Sequence, residues 1–274
     1  MLDIINQNGM LLLGCGKMGS AMLEGWLDRG VEPSAVWVND PHPSDYVKAL
    51  VPHGLNLNAP LPAAPALCVI AVKPQMMGEA LPAIAALGTG NTLFVSIAAG
   101  TTLGALAKAL GPQARIIRAM PNTPSMIQAG ATGLFTQSDL TTEQRSLVDQ
   151  IFQAIGYSCW VDSEELIDAV IAVSGSGPAY FFLVLEAMQK IAQELGLPKQ
   201  TAQELSLHTA LGASRMAMES GISAAELRDQ VTSPGGTTQA AIKSFQQHGL
   251  EDIFRTAMTS AVARAQEMSK DFSS

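Results

Sequence analysis

The chain has 274 residues, 47% of them hydrophobic and 15% charged, with a formal net charge of −8. That composition supports a buried core and excludes a disordered chain, which would be poor in apolar residues. The length allows one large domain or two ordinary ones. The acidic balance, without a basic run, argues against nucleic acid and anionic membrane as partners. Cys15, Cys68 and Cys159 match no zinc spacing, so they are expected to be reduced, mostly buried thiols of a cytoplasmic protein. Met1–Gly9 holds Asp3 and no basic segment, unlike a signal peptide. No apolar stretch is expected to reach the roughly 18 residues of a membrane span, because Gly, Pro or Lys interrupts the candidates.

In chain order, Met10–Leu13 reads as a compact apolar strand ending at Gly14. A helix over Met18–Arg29 follows, stopped by Gly30. Ala35–Asn39 reads as a strand, Asp45–His53 as a short helix and Leu55–Leu57 as a third strand. Ala66–Val72 is strongly apolar, and Gln75–Leu87 is a weak helix containing Pro82. Thr92–Ile97 is a strand, Thr102–Leu110 a helix and Ala114–Ala119 a strand. Strands alternating with helices imply right-handed crossovers and a parallel sheet covered on both faces. The continuous apolar runs suit buried parallel strands. From Ser163 only helical periodicity remains: Tyr180–Leu195, Lys199–Ser220, Ala224–Val231, Thr238–His248 and Leu250–Ser269. The expected organisation is an N-terminal Rossmann-type α/β domain over 1–161 and an all-α domain over 162–274. The helix from Tyr180 is apolar nearly all round, so the second domain is expected to bury it by dimerisation.

Gly14-Cys15-Gly16-Lys17-Met18-Gly19 is a G-x-G-x-x-G between a predicted strand and a predicted helix, the context that gives the motif meaning. Gly14 permits the tight turn, Gly16 the approach of backbone to a pyrophosphate, and Gly19 close helix–strand packing. Free N–H groups at the helix start then face the phosphates. The ribose-reading position falls at Asn39 or Asp40, and both registers are open. A carboxylate there accepts both ribose hydroxyls of NAD and repels a 2′-phosphate by roughly 4 kcal/mol at about 4 Å and an effective dielectric of 20. If Asn39 faces the ribose instead, His42 is placed to help hold a phosphate. Asp40 is read equally well as a plain turn residue before Pro41. Ala71-Val72-Lys73-Pro74 ends the next strong strand at the edge where ligands bind, with Lys73 either solvated or at the cofactor. The small residues of Ser96-Ile97-Ala98-Ala99-Gly100 suit close approach of a nicotinamide.

Two further segments lead into helices, Val173–Tyr180 and Val231–Thr238. In the second, Ser233-Pro234-Gly235-Gly236-Thr237-Thr238 gathers backbone N–H groups at a helix start, an anion site for a carboxylate with hydroxyls beside it. Plain N-capping by Ser233 or Thr237 is the competing reading. His42, His53, His208 and His248 form no motif, and neither HExxH nor a cysteine cluster is present, so no metal is expected. Hydride transfer to an already activated iminium needs no strong protein acid.

With these motifs in order from about residue 10 to 265, the chain resembles the Δ1-pyrroline-5-carboxylate reductases. The resemblance is carried by Leu11–Gly19, Ala71–Pro74, Val95–Gly100, Arg118–Pro124, Ser174–Tyr180 and Val231–Thr238. It implies reduction of pyrroline-5-carboxylate to L-proline, the last step of proline biosynthesis, by NADP(H) or NAD(H). It implies a helical dimerisation domain, a homodimer and in some members a decamer. Carried over by position, the cofactor would meet Leu13, Gly14, Cys15, Gly16, Lys17, Met18, Asn39, Asp40, Pro41, Ala71, Val72, Lys73, Pro74, Ile97, Ala98 and Ala99. The substrate carboxylate would rest on Ser233, Gly235, Gly236 and Thr237, with Thr238 bonding the ring nitrogen as the catalytic hydroxyl. Two departures stand out: Ser223 and Ala224 replace a His-Pro common in the family, and the loop Asn58-Ala59-Pro60-Leu61 only approximately supplies the family's ribose-contacting Asn. A β-hydroxyacid dehydrogenase would need a Lys soon after Gly175-Ser176-Gly177, and none occurs before Lys190. A non-catalytic dinucleotide sensor would have no use for the Ser233–Thr238 cluster, and a related cyclic-imine reductase is the nearer alternative.

Overall fold

The computed structural model describes residues 3–271. Among them, strands β1 (Met10–Leu13), β2 (Val36–Asn39), β3 (Asn56–Leu57), β4 (Leu67–Ile70), β5 (Leu93–Ser96), β6 (Arg115–Met120), β7 (Gly130–Thr136) and β8 (Gly156–Trp160) form one sheet in the order β3-β2-β1-β4-β5-β6-β7-β8. Helices α1 (Asp3–Asn8), α2 (Lys17–Asp28), α3 (Asp45–Leu50), α4 (Met77–Ala80), α5 (Leu103–Leu110), α6 (Thr142–Gln153) and α7 (Leu166–Val170) accompany it. The first six strands follow the 3-2-1-4-5-6 order of a doubly wound dinucleotide-binding sheet.

The strands alternate between two cores, as a two-residue period requires. Met10 and Leu12 of β1, Leu67 and Val69 of β4, and Leu93 and Val95 of β5 join α2 and α6 residues such as Trp26, Ile151 and Phe152 on one face. Leu11, Leu13, Cys68, Ile70 and Phe94 join Met77, Leu103, Leu106 and Leu110 on the other. Trp26 is fully buried, and its Nε1–H donates to the Ile151 carbonyl at 3.0 Å, tying α2 to α6.

Two features around the sheet depart from the sequence-based expectation. The sheet is not wholly parallel: β7 runs antiparallel to β6 and parallel to β8. The link from Met120 to Gly130, a 3-10 turn at Thr123–Ile127, is too short for a crossover of a dozen or more residues. Second, Gln75–Leu87 is broken into 3-10 turns around the four-residue α4, because Pro82 inside it removes a helical donor and clashes with the preceding turn.

The helices that follow are α8 (Gly177–Glu194), α9 (Lys199–Glu219), α10 (Ala224–Gln230), α11 (Thr237–Gln247) and α12 (Leu250–Asp271). Contacts divide the chain into two compact units: the residues up to Ser176 with those from Ala261, and Gly177–Ser260. By packing, the break lies after Ser176, whereas the 161–162 boundary expected from the sequence marks where helical periodicity takes over. The physical reason is that α7 packs on β7: a side chain at Gly133 would strike Val170 at 2.6 Å. In the second unit α8 packs on α9, and Gly196 ends α8 at φ 100 with Leu197 N–H returning to the Ala192 carbonyl at 3.1 Å. Leu166–Glu194 is one continuous helix, long and apolar enough by length and composition to cross a membrane. The expectation that Gly and Pro would interrupt every such stretch fails there, because Ser174–Pro178 is carried as a π turn, Ile171–Gly175, followed directly by the first turn of α8.

Candidate functional site

The carboxyl ends of four adjacent parallel strands are in register: Asn39 beside Leu13, Leu13 beside Ile70, and Ile70 beside Ser96. Gly14 N–H donates to the Asn39 carbonyl at 2.8 Å and Ala71 N–H to the Leu13 carbonyl at 2.8 Å. One edge therefore gathers Leu13–Met18, Asn39–Pro41, Ala71–Pro74 and Ile97–Ala99, segments far apart in the chain.

The glycine loop fits a dinucleotide. Gly14 has φ 84, and a side chain there would meet Val72 at 2.8 Å. Gly19 brings helix against loop, with space for a Cβ only 3.0 Å from the Gly14 carbonyl oxygen. At Gly16 an added Cβ would meet nothing within 4 Å, so the backbone there faces an open cradle that a ligand can approach. Helix α2 starts at this glycine without a side-chain cap, which leaves its first-turn N–H groups for an anion.

The Cys15 thiol is buried, and burial pushes its pKa up to about 11; it is a packing group. Cys68 is likewise free and buried. Lys73 is exposed and Pro74 opens a 3-10 turn. Of the two candidate ribose readers, Asn39 supplies its carbonyl to Gly14, and the Asp40 carboxylate turns toward the loop, accepting Cys15 N–H at 2.6 Å.

The Ser233–Thr238 segment lies in the second unit. Gly235 is at φ 73, and α11 begins at Gly236 with no side-chain cap, so capping by Ser233 or Thr237 is not what the segment does. Two of its N–H groups are engaged: Gly236 N–H bonds the Ser233 carbonyl at 3.0 Å, and Gly235 N–H bonds Gln239 Oε1 at 2.7 Å. The sequence reading did not include Gln239. A Gln four residues beyond a glycine turn is the signal that could have found it. Arg228 and Lys243 line the adjoining cavity, about 540 Å³ in volume.

The side chains of the Arg118–Pro124 motif are tied into the fold. Arg118 is buried and pairs with Glu164 at 2.7 Å, while Glu164 also caps α5 by accepting Leu103 N–H at 2.8 Å. Asn122 donates to the Ser174 carbonyl at 3.0 Å and accepts Ala131 N–H at 2.8 Å, holding the π turn to the β7 entry. An arginine inside an apolar strand signals a buried partner, but its position 46 residues away cannot be read from the sequence. Ser223 and Ala224 also acquire a role. Ser223 caps α10 in a reciprocal box with Glu226, whose pKa is lowered by the Ser223 side chain and then its backbone N–H. His208 lies on the exposed α9 surface 3.6 Å from Glu204, and His248 ends α11. Among the described residues no group of three or more His, Cys, Asp or Glu is placed to hold a metal.

Strand order, switch-point edge and glycine loop define the first unit as that of a nicotinamide-dinucleotide-dependent oxidoreductase. Residues 10–100 match the family model for NADP oxidoreductase, coenzyme F420-dependent, and residues 164–268 match pyrroline-5-carboxylate reductase dimerisation. A pyrroline-5-carboxylate reductase of Pseudomonas aeruginosa is 40% identical over 94% of this chain and 96% of its own. The structure of a pyrroline-5-carboxylate reductase from Coxiella burnetii superposes with a TM-score of 0.90 at 38% identity, covering 96% of this chain and 99% of that one. A Plasmodium falciparum pyrroline carboxylate reductase solved with NADP bound gives 0.84 at 25% identity, with coverage of 96% and 99%. The chain belongs to the pyrroline-5-carboxylate reductase family.

Proposed function

We propose that the protein reduces the cyclic imine of L-1-pyrroline-5-carboxylate to L-proline with hydride from NAD(P)H, the closing step of proline biosynthesis. The observation that carries this reading is the open cradle at Gly16 beside an uncapped α2, in a chain matched by a relative over 94% of its length. The bound cofactor supplies the hydride. The cofactor-binding residues in this reading are the four segments of the switch-point edge. Ser233, Gly235, Gly236 and Thr237 receive the substrate carboxylate, and Thr238 holds the ring nitrogen, placing the imine carbon for attack while the nitrogen keeps its proton. With an iminium as substrate, charge is neutralised by the hydride itself, so no histidine acid is required. Gln239 occupies the Gly235 N–H until a carboxylate, a stronger acceptor, takes its place.

The oligomer belongs to the same proposal. We infer a homodimer through Gly177–Ser260, with a decamer as the next order of assembly. Exposed Phe181, Phe182, Leu183 and Ile191 on α8 support it. The same burial accounts for the apolar length of Leu166–Glu194 without a lipid bilayer, and the free thiols suit the cytoplasm.

The test is oxidation of NADH and NADPH followed at 340 nm with pyrroline-5-carboxylate, alongside light scattering of the purified protein. Turnover by a dimer or larger species is expected. Cofactor binding without turnover of this or any other cyclic imine would overturn the reductase reading.

A further inference from the structure

Asp40, at the carboxyl end of β2, is held at four points. Its Oδ2 accepts Cys15 N–H at 2.6 Å and its Oδ1 accepts His42 N–H at 2.7 Å. Its own N–H donates to Asn58 Oδ1 at 2.9 Å, and its carbonyl accepts from Asn58 Nδ2 at 2.9 Å. Asn58 adopts φ 50, a left-handed conformation that asparagine tolerates better than most residues. One side-chain amide thereby spans both sides of the Asp40 backbone. Among the described residues no Lys, Arg or His forms an ion pair with Asp40. Lys48, the next lysine along the chain, is engaged by Asp45 at 3.1 Å.

We propose that Asp40 sets the cofactor preference of this reductase in favour of NADH over NADPH, and that Asn58 is the positioning residue that fixes it. The proposal rests on the dinucleotide reading above. In this strand order the adenosine ribose lies at the end of β2. Each carboxylate oxygen of Asp40 uses one lone-pair direction on a backbone N–H and keeps another for a ribose hydroxyl. A 2′-phosphate arriving there meets a negative charge with no paired cation to offset it. The carboxylate cannot turn aside without stripping the acceptor from the exposed His42 N–H and from the Cys15 N–H, a costly exchange because that bond is partly buried. The Plasmodium relative was solved with NADP, so the shared fold admits a 2′-phosphate and its exclusion here falls to individual side chains. The competing arrangement, with His42 gripping a phosphate, requires Asp40 to face solvent; its Oδ2 faces Cys15 instead.

Dissociation constants for NADH and NADPH, read from nicotinamide fluorescence on the full-length protein, test this without reference to turnover. NADH is expected to bind at least about tenfold more tightly, a difference of about 1.4 kcal/mol. Asp40→Asn keeps an acceptor for Cys15 N–H but removes the charge, and should abolish most of that ratio. Asp40→Ser should do the same. Asn58→Ala should move the ratio in the same direction by a smaller factor. Because each ratio is taken within one protein, a lower folded fraction cancels. Equal or tighter binding of NADPH by the native protein would overturn the proposal, as would an unmoved ratio in Asp40→Asn. A ratio unmoved in Asn58→Ala would remove the positioning role alone. Failure of the reductase reading would look different: the expected ratio with no cyclic imine turned over.

Discussion

The two units solve the same problem of apolar surface in opposite ways. In the sheet-bearing unit Trp26, Phe94, Phe152 and Met10 are wholly buried, and each strand feeds two cores from alternate side chains. In Gly177–Ser260 the only buried residues are Gly177, Ala202 and Ser206, while Phe181, Phe182 and Leu183 are each about two-thirds exposed. A groove of about 480 Å³ lined by Ile191, Leu195, Leu205 and Phe245 lies open between its helices. Exposed apolar area on that scale marks an association surface. The first unit is finished by its own chain, and the second is half of something.

That contrast can be broken at several points. The largest effect is expected from Gly16→Val, which should weaken cofactor binding at least about a hundredfold, since the side chain fills the cradle a pyrophosphate needs. The same variant should unfold at nearly the native temperature, because its Cβ points into open space. A matched pair of aromatic changes addresses the units directly. Phe152→Ala should destabilise the sheet unit by about 3–5 kcal/mol, seen in urea unfolding. Phe182→Glu should leave that transition in place but shift the oligomer toward monomer in light scattering. A Phe182→Glu protein that stays dimeric would move the association surface off α8. Thr238→Ala should lower kcat/KM for the imine by a factor on the order of 10–100, the value of one hydrogen bond made in the transition state; an unchanged value would remove Thr238 from that role.

The smallest effect is at α10. Ser223→Ala removes an N-cap at a cost of about 1 kcal/mol near neutral pH. The folded pKa of Glu226 is depressed by this cap, so its contribution is present above the ordinary glutamate range and is lost as pH falls through the folded value. The difference in unfolding temperature between native and Ser223→Ala protein should therefore shrink on acidification. A gap that grows would overturn the reciprocal bond.

The six parallel strands β1–β6 and α2 were legible because each is a short run with a glycine or proline near its edge. β7, α6 and β8 were not. β7 carries Gly130 and Gly133, which weaken its pattern but let Ser125 and Val170 approach closely. Its reversal relative to β6 follows from linker length, a property of the connection and not of the strand. At the site, the glycine loop and the Gly235 turn were readable from local composition. The register between Asn39 and Asp40 was not, because it depends on where Cys15 and Asn58 come to lie. Gln239 was missed because a glutamine on a helix surface looks like any other until its oxygen is found on Gly235.

That oxygen has a consequence for what the turn will admit. A side chain four residues away acts as a tethered competitor, which re-forms its bond without a diffusional encounter. A weakly accepting anion in solution must outcompete it at every encounter and gains little by doing so. Only an acceptor that is both charged and anchored elsewhere in the molecule that carries it displaces the amide with profit. In the proposed reading, where this turn takes the substrate carboxylate, it is a threshold device: background anions of the cell should leave it shut, and selectivity arises from what must first be evicted as much as from what is bound.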